Sequence, residues 1–219
     1  MLTSARNKSQ LIQLIIEDIT ENCDEIGPHK LVLTGPDSVP IELNLGLSIR
    51  RCDMENHHEE ADVIIIHHQV ASVAADVSFV FADDTDVFVL LCHHLENTNL
   101  KGQIYLSSLK THEIININAT VSKHDTVVEN LLAGYGLFGC DTVASYFGLG
   151  EAKLLNCLKK GGHSLSLIGD VDADVNNAIA VANKFILQCY GRSDCNTLNE
   201  ARFKIWVDKL AKCNTSPKL

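Results

Sequence analysis

The chain has 219 residues, of which 46% are hydrophobic and 21% are charged. This length suits a domain that buries its own core, and the composition excludes a disordered, collagen-like or wholly basic chain. The 28 acidic residues outnumber the 18 basic ones, and the net charge is −10 at pH 7. Residues 1–150 hold 8 basic and 21 acidic side chains, whereas residues 151–219 hold 10 and 7. An acidic front with a mildly basic tail is the first hint of function.

The sequence predicts neither a secretory leader nor a membrane span. Charges and amides interrupt the opening stretch, MLTSARNKSQLIQLIIED, and the uncharged apolar runs are short, such as residues 87–92. The eight cysteines are scattered and form no CxxC pair, which is typical of reduced thiols that pack as small core residues. We therefore expect a nuclear or cytoplasmic protein that is not secreted and has no membrane partner.

In the first half of the chain, helical spacing alternates with short apolar runs. Leucines and isoleucines after Ser9 predict an amphipathic helix over residues 9–22. In segment 57–76, acidic residues precede an isoleucine run, which fits either a helix with anions at its positive end or a strand. Residues 77–82 (VSFVFA) predict a strand that is buried on both faces. The other predicted strands cover residues 30–34, 103–106 and 113–117.

From Asp125 onward the pattern is helical. Because strands alternate with helices first and helices dominate later, we expect an α/β fold. It would have a mostly parallel sheet covered on both sides and a helical C-terminal part. Trp206 lies at helical spacing from Phe203 and Leu210, and we interpret it as a core residue. The predicted helices cover residues 125–138, about 142–160 with a break at Gly148 and Gly150, about 175–190, and 197–212.

An acidic cluster follows the VSFVFA strand directly. Asp83, Asp84 and Asp86 stand within four residues of one another, so their charges repel unless solvent or a cation screens them. Carboxylate oxygens are ligands that suit Mg²⁺ or Mn²⁺. The simpler interpretation is a polar turn in which one Asp caps the next helix. Three carboxylates favour the metal.

A second acidic group lies about one helix and one strand upstream of this cluster. It comprises Glu59, Glu60 and Asp62. A single crossover between parallel strands could bring both groups to the same edge of the sheet. The alternative is that these carboxylates only stabilise the positive end of a helix.

A third segment of interest is residues 131–162, in which GCDT is followed by FGLG and then by a lysine-bearing helix. A glycine-bracketed helix start offers backbone N–H groups to a phosphate, and lysines on the same helix add positive charge. A Gly-x-Gly pair also marks many tight turns between helices. The candidate nucleic-acid-binding residues are Gly148, Gly150, Lys153, Lys159 and Lys160.

Together, EEAD (59–62), ADDTD (82–86) and GCDT...FGLG (139–150) resemble the flap-endonuclease-like (XPG-type) nucleases, a branch of the PIN-like domains. The combination of DDTDVFVLLCHH, GCDTVASYFGLG and NTLNEARFKIW is most similar to transposon-derived proteins that carry such a domain. The resemblance implies a single three-layer α/β/α PIN-like domain over residues 1–219, with a helix-three-turn-helix-like segment at 131–162. It also implies metal ligands at Glu60, Asp62, Asp84, Asp86 and Asp141, of which Asp84, Asp86 and Asp141 are the catalytic set.

The activity that the resemblance implies is a Mg²⁺-dependent, structure-selective phosphodiesterase acting on DNA or RNA, with Mn²⁺ as a substitute ion. Two ions held by the carboxylates would activate water and stabilise the leaving oxygen. The chain departs from the family in two respects. It opens with a helix instead of a strand ending in the first metal-binding Asp, so we expect an incomplete domain or a lost ligand. It also carries Asp62 where the family has Glu.

Three alternatives stay open. Asp84-Thr-Asp86 also fits the nucleophile motif of haloacid-dehalogenase-like phosphatases, for which Gly169-Asp170 and Asp174 would supply a late metal motif. The histidine pairs at 57/58, 67/68 and 93/94 invite a zinc site, although adjacent histidines point in different directions on a helix. Finally, a catalytically silent domain could serve as a nucleic-acid-binding or interaction module.

Overall fold

The computed structural model describes residues 5–23, 29–58, 60–71, 77–98, 102–138, 146–162 and 164–214. This part of the chain is a mixed α/β structure with two small three-stranded sheets, which confirms the predicted fold class at that level. The chain divides into two compact units, Met1–Val80 and Phe81–Leu219. Within the described ranges, no helix is both long and apolar enough to cross a membrane.

The first unit opens with a helix and continues into an antiparallel sheet. The buried side chain of Ile16 lies so close to Gly35 that an added Cβ there would come within 2.3 Å of Ile16 Cδ1. The elements up to the second helix are α1 (Ala5–Glu21), β1 (Leu31–Leu33), β2 (Ile41–Asn44), β3 (Leu47–Arg50), a 3-10 turn (Cys52–Met54) and α2 (Ala61–Ala71).

Strands β2 and β3 form a hairpin that the sequence did not lead us to expect. Its two turn residues, Leu45 and Gly46, have positive φ angles of 49° and 74°, the backbone that a two-residue hairpin needs to match the strand twist. The register pairs Ile41 with Arg50 and Asn44 with Leu47. The hairpin was not predicted because the first turn position holds an apolar residue, whereas Asn or Asp is the usual sequence signal there.

The rest of the chain is mainly helical. Strands β4, β5 and β6 form the second sheet in that order, and β5 pairs with β6 antiparallel. The elements are β4 (Val77–Phe81), α3 (Thr85–Asn97), β5 (Gln103–Ser107), β6 (Ile114–Asn116), α4 (Ile117–Lys123), α5 (Asp125–Val128), α6 (Leu131–Phe138), α7 (Glu151–Lys160), α8 (Val175–Cys189) and α9 (Leu198–Asn214).

The core of the second unit lies where α6, α7 and α8 meet. Phe185 is 2% exposed and packs edge-to-face on Phe138, with ring centroids 6.1 Å apart. Gly134 provides room for Leu154, since a Cβ at Gly134 would lie 2.8 Å from Leu154 Cδ1. This packing fixes α6, which carries one of the side chains of the candidate site.

The predicted mostly parallel sheet differs from the observed pairing. All strands of the first sheet pair antiparallel, and so do β5 and β6. The reason lies in the connections, because the segments between β1 and β2, β2 and β3, and β5 and β6 are too short for the crossover that parallel neighbours require. The three-layer arrangement therefore stays a prediction.

The structure also corrects two predictions of burial. Strand β4 forms where it was predicted, but Val77, Phe79 and Phe81 are 50%, 52% and 59% exposed, so only one of its faces is buried. Trp206 is 57% exposed and Phe203 is 63% exposed, so the interpretation of Trp206 as core was wrong. Helical spacing identifies an apolar face, but it does not say what covers that face.

Several other elements agree with the predictions only in part. Of the helix predicted over about 142–160, residues 151–160 are helical, residues 146–150 are not, and residues 142–145 lie outside the described residues. Segment 57–76 contains a helix, α2, instead of a strand. The predicted helix over 125–138 is divided into α5 and α6 by a two-residue turn. Asn130 in that turn is buried, and its side chain accepts the Leu165 N–H at 2.7 Å. Helix α4 was missed. Its N-cap residue is Asn116, whose side chain accepts the Ala119 N–H at 2.9 Å.

Candidate metal centre

The acidic turn after β4 starts helix α3. Asp84 is the N-cap residue of this helix, and its Oδ1 accepts the backbone N–H of Asp86 at 3.1 Å. The simpler interpretation of this cluster is therefore confirmed for Asp84, since capping satisfies a helix N–H that has no intrahelical partner. A carboxylate has two oxygens with several lone pairs, so capping through Oδ1 still leaves Asp84 able to bind a cation.

Asp83 is directed to a different part of the turn. Its Oδ1 accepts the Ser108 hydroxyl at 2.7 Å and the Lys110 N–H at 3.3 Å. The Ser108 hydrogen bond, more than any other interaction, lowers the pKa of the Asp83 carboxyl below its usual value. Asp83 therefore ties the end of β4 to the loop after β5, and its carboxylate is engaged in structural bonds.

Asp86 is half-buried in the first turn of α3, where the hydroxyl of Tyr135 on α6 donates to its Oδ1 at 2.9 Å. Burial first, and then this bond to Asp86, raise the pKa of Tyr135. The phenol therefore keeps its proton and stays a donor at neutral pH. Carboxylates that bind metals are commonly held in one orientation by such a hydrogen-bond donor.

Asp84 and Asp86 each offer a carboxylate oxygen, and these two oxygens lie within 4.8 Å of each other. Asp84 is exposed, which leaves it open to an ion from solvent, and Asp86 is partly buried. Oxygen donors with two negative charges at this spacing suit a hard divalent cation such as Mg²⁺ or Mn²⁺ better than zinc or copper. The donor set therefore fits the ion that the sequence implies.

A cleft of about 330 Å³ lies beside Asp84 in the second unit. Its apolar wall includes Phe88 and Leu106, and its polar lining includes Asp84, Ser108 and Glu113. A cleft of this size could admit a nucleotide-sized group next to Asp84.

The upstream acidic group lies at the beginning of α2. Asp62 is half-buried in the first turn of that helix. Glu60 is exposed and precedes the helix, and its carbonyl oxygen accepts the N–H of Ile64 at 3.2 Å. Both positions fit the expected interaction of acidic residues with a helix N-terminus. Glu59 lies outside the described residues.

Asp141, the third member of the implied catalytic set, also lies outside the described residues. The turn that follows is described from Tyr146. Gly148 has a positive φ of 74°, and Gly150 is the N-cap of α7 without a side-chain oxygen to satisfy the helix. Lys153 bonds back to the Gly148 carbonyl oxygen, while Lys159 and Lys160 are exposed in the last turn of α7.

The residues that a phosphatase site or a zinc site would use support neither of these two alternatives. Asp170 accepts the Asp172 N–H at 2.9 Å, and Asp174 caps α8 by accepting the Asn177 N–H at 2.9 Å. Turn and cap bonds thus account for Asp170 and Asp174 without a phosphatase site. His68 bonds Thr34 at 2.8 Å. Among the described residues, no histidine belongs to a cluster with metal-ligand spacing.

In comparisons with known proteins, no family model, no curated protein and no solved structure matches this chain. Function is therefore inferred from the site itself.

Sequence reasoning missed Tyr135 and Ser108, the two side chains that orient the acidic turn. Tyr135 carries the only polar side chain in the apolar helix LLAGYGLF. This was the one available signal, because a phenol on a buried helix usually has a hydrogen-bond partner. Ser108 offered no such signal.

Proposed function

We propose that the protein is a divalent-metal-dependent phosphodiesterase that cleaves nucleic acid, with Mg²⁺ or Mn²⁺ held by carboxylates at the end of β4. The observation that carries this proposal is the pair formed by Asp84 and Asp86, whose oxygens lie within 4.8 Å. Asp62 is proposed as the ligand that the upstream acidic group supplies, because the resemblance implies it.

In this proposal the chain has three tasks. Tyr135 holds Asp86 in one orientation through its hydroxyl. The bond from the Asp86 N–H to Asp84 fixes the second carboxylate relative to the first. The adjoining cleft would position the phosphodiester beside Asp84. When bound, Mg²⁺ supplies positive charge that stabilises the negative charge developing on the phosphate and the leaving oxygen.

Negative charge at the site is a difficulty that the cation itself removes. Bringing two or three carboxylates together is costly without a counter-charge, and a polyanionic substrate would be repelled. A bound divalent cation relieves both effects. This also reconciles the net charge of −10 with a nucleic-acid substrate. The more positive C-terminal part, including Lys153, Lys159 and Lys160, would contact the phosphate backbone without reading base sequence.

The finer assignment follows the resemblance found in the sequence. We propose a three-layer PIN-like domain of transposon-derived origin, with Glu60 and Asp141 as additional ligands that would allow a second ion. The alternative is a catalytically silent nucleic-acid-binding module. One observation favours that alternative, namely that capping of α3 by itself accounts for an Asp at position 84.

A cleavage assay tests this proposed function. The purified full chain is incubated with end-labelled single-stranded and flap-bearing DNA and RNA, in Mg²⁺, in Mn²⁺, or in EDTA. We expect cleavage that requires Mg²⁺ or Mn²⁺, stops in EDTA and favours one substrate structure. No cleavage of any substrate at millimolar Mn²⁺ would support the silent module instead. Hydrolysis of a phosphate monoester through a trapped phosphoenzyme at Asp84 would indicate a phosphatase.

A further inference from the structure

An exposed aromatic surface lies on the second unit, formed by α9 and by the turn before α7. Phe147 is 86% exposed, Phe203 is 63% exposed and Trp206 is 57% exposed. A cluster of large exposed rings is unusual for a surface with no partner. We call this surface the α9 platform and define it by Tyr146, Phe147, Arg202, Phe203, Trp206 and Lys209.

Two cation–π contacts join the turn to the helix. The Arg202 guanidinium lies over the Tyr146 ring, 5.9 Å from its centroid, and the Lys209 ammonium lies 5.3 Å from the centroid of Phe147. The Tyr190 hydroxyl also donates to the Phe147 carbonyl oxygen at 3.0 Å. Rings from two separate elements are therefore held together in one surface.

On α9 itself, the rings and cations share neighbouring turns. The centroids of Phe203 and Trp206 are 6.1 Å apart and their planes are tilted by 36°. Arg202, Trp206 and Lys209 follow one another at spacings of four and three residues, which places them on the same side of the helix. A cation thus stands one turn to either side of the indole.

The charges around the platform leave it positive. Asp208 is paired with Arg192, and both Asp194 and Glu200 are paired with Lys204. Arg202 and Lys209 have no carboxylate partner among the described residues, and their known contacts are with rings. These three carboxylates share two cations, and with Arg202 and Lys209 the named charges sum to +1, four cations against three carboxylates.

We infer that the α9 platform binds single-stranded nucleic acid, with bases stacked on Phe203, Trp206 and Phe147 and phosphates beside Arg202 and Lys209. Exposed rings interleaved with cations are the features that bind single strands, because unpaired bases offer open faces for stacking. In a duplex these faces are already stacked on neighbouring base pairs. A purely apolar protein partner would not use the two positive charges, so charge complementarity favours the nucleic acid.

This inference adds a substrate class to the proposed function, namely single-stranded nucleic acid for the metal site. That assignment of the substrate rests on the proposed function. The platform would hold the strand as a separate binding surface, without contacting the reacting phosphate. Its rings are positioning residues for the substrate, and their role does not depend on an ion at Asp84. The two ideas can therefore fail independently.

Trp206 allows a direct test, because it is the only tryptophan in the chain. An oligothymidylate of about 12 nucleotides is titrated into the full-length protein in EDTA, so that no cleavage occurs. We expect quenching of the Trp206 fluorescence at saturation and an affinity that falls as salt is raised. Fluorescence that does not change while the oligonucleotide binds would overturn the inference.

Variants then separate stacking from charge. With a labelled oligothymidylate and anisotropy as the readout, we expect Trp206→Ala and Phe203→Ala each to weaken binding about tenfold. We expect Lys209→Gln to weaken it and to reduce its salt dependence. The controls are Ile179→Ala and Lys184→Gln on the exposed surface of α8, which should bind as the wild type does.

Three outcomes would count against the platform. Trp206→Ala and Phe203→Ala could bind the oligonucleotide as tightly as the controls. The platform variants could instead abolish self-association seen by sedimentation, which would make this surface an interface between copies. Binding of a duplex in preference to the single strand would also overturn the inference. If metal-dependent cleavage persists in these cases, only the platform inference is wrong and the proposed nuclease activity is unaffected. If the platform binds the oligonucleotide but no cleavage is seen, only the proposed nuclease activity is wrong.

Discussion

Asp84→Asn is expected to reduce metal-dependent cleavage by about a hundred- to a thousandfold, the range found when a group that stabilises transition-state charge is removed. Asn is as good an N-cap residue as Asp, so the hydrogen bond from the Asp86 N–H and the start of α3 should survive. The substitution therefore removes the charge of Asp84 with little effect on the fold. The measurement is the cleavage rate at saturating Mn²⁺, with the circular dichroism spectrum as a check on folding.

The chain offers a matched control at Asp174. This residue caps α8 by accepting the Asn177 N–H at 2.9 Å, and it is not part of the carboxylate group at the end of β4. Asp174→Asn makes the same chemical change at a helix N-cap and should leave the cleavage rate unchanged. If both variants lost activity equally, capping and not metal binding would explain the effect. If Asp84→Asn stayed active, Asp84 would not be a ligand.

Phe185→Ala is expected to lower the free energy of unfolding by about 3–5 kcal/mol, the usual cost of truncating a buried aromatic side chain. Phe185 is 2% exposed and stacks edge-to-face on Phe138, so it joins α8 to α6. Alanine would leave a cavity between these helices. Because α6 also carries Tyr135, the bond to Asp86 should loosen as well. Urea unfolding followed by circular dichroism measures the loss.

Phe203→Ala is the matched control for this stability prediction. Phe203 is the same residue type, also on a helix, but it is 63% exposed. Its truncation should change the free energy of unfolding by no more than about 0.5 kcal/mol. Equal losses in the two variants would mean that Phe203 lies in the core and is not an exposed side chain. A small loss in both would mean that Phe185 is not a core contact.

The positions of most helices and strands could be predicted because apolar spacing and turn residues are local signals. Helices α8 and α9 and strand β4 lie within a residue or two of the predicted ranges. The β2–β3 hairpin was missed because Leu45 adopts a positive φ angle, and leucine is not a residue type that indicates such a turn. The predicted parallel pairing was wrong for β5 and β6, because a short loop joins these strands instead of a crossover helix.

Burial could not be predicted as well as position. Phe79 and Phe81 in VSFVFA satisfy the pattern of a strand buried on both faces, yet both are more than half exposed. Trp206 satisfies the pattern of a buried helix face and is exposed too. A sequence pattern records which side of an element is apolar, but the neighbour that covers this side is decided by tertiary packing.

The acidic turn could be identified from the sequence because three Asp residues directly follow an apolar strand. The hydrogen bonds that hold these Asp side chains could not be predicted. Ser108 lies 25 residues from Asp83, and Tyr135 lies 49 residues from Asp86. No local signal connects residues at such separations. The sequence also could not tell the three carboxylates apart. In the structure Asp83 is engaged with a loop, Asp84 caps a helix and Asp86 is held by a phenol.

The proposed metal site is tested most directly by a Mn²⁺ titration of the full chain, in which free Mn²⁺ is followed by its electron paramagnetic resonance signal. We expect the wild type to take up Mn²⁺, and Asp84→Asn and Asp86→Asn each to weaken this uptake about tenfold or more. Asp174→Asn should bind as the wild type does. Equal uptake by the wild type and both site variants, or no uptake by any of them, would contradict a carboxylate site shared by Asp84 and Asp86.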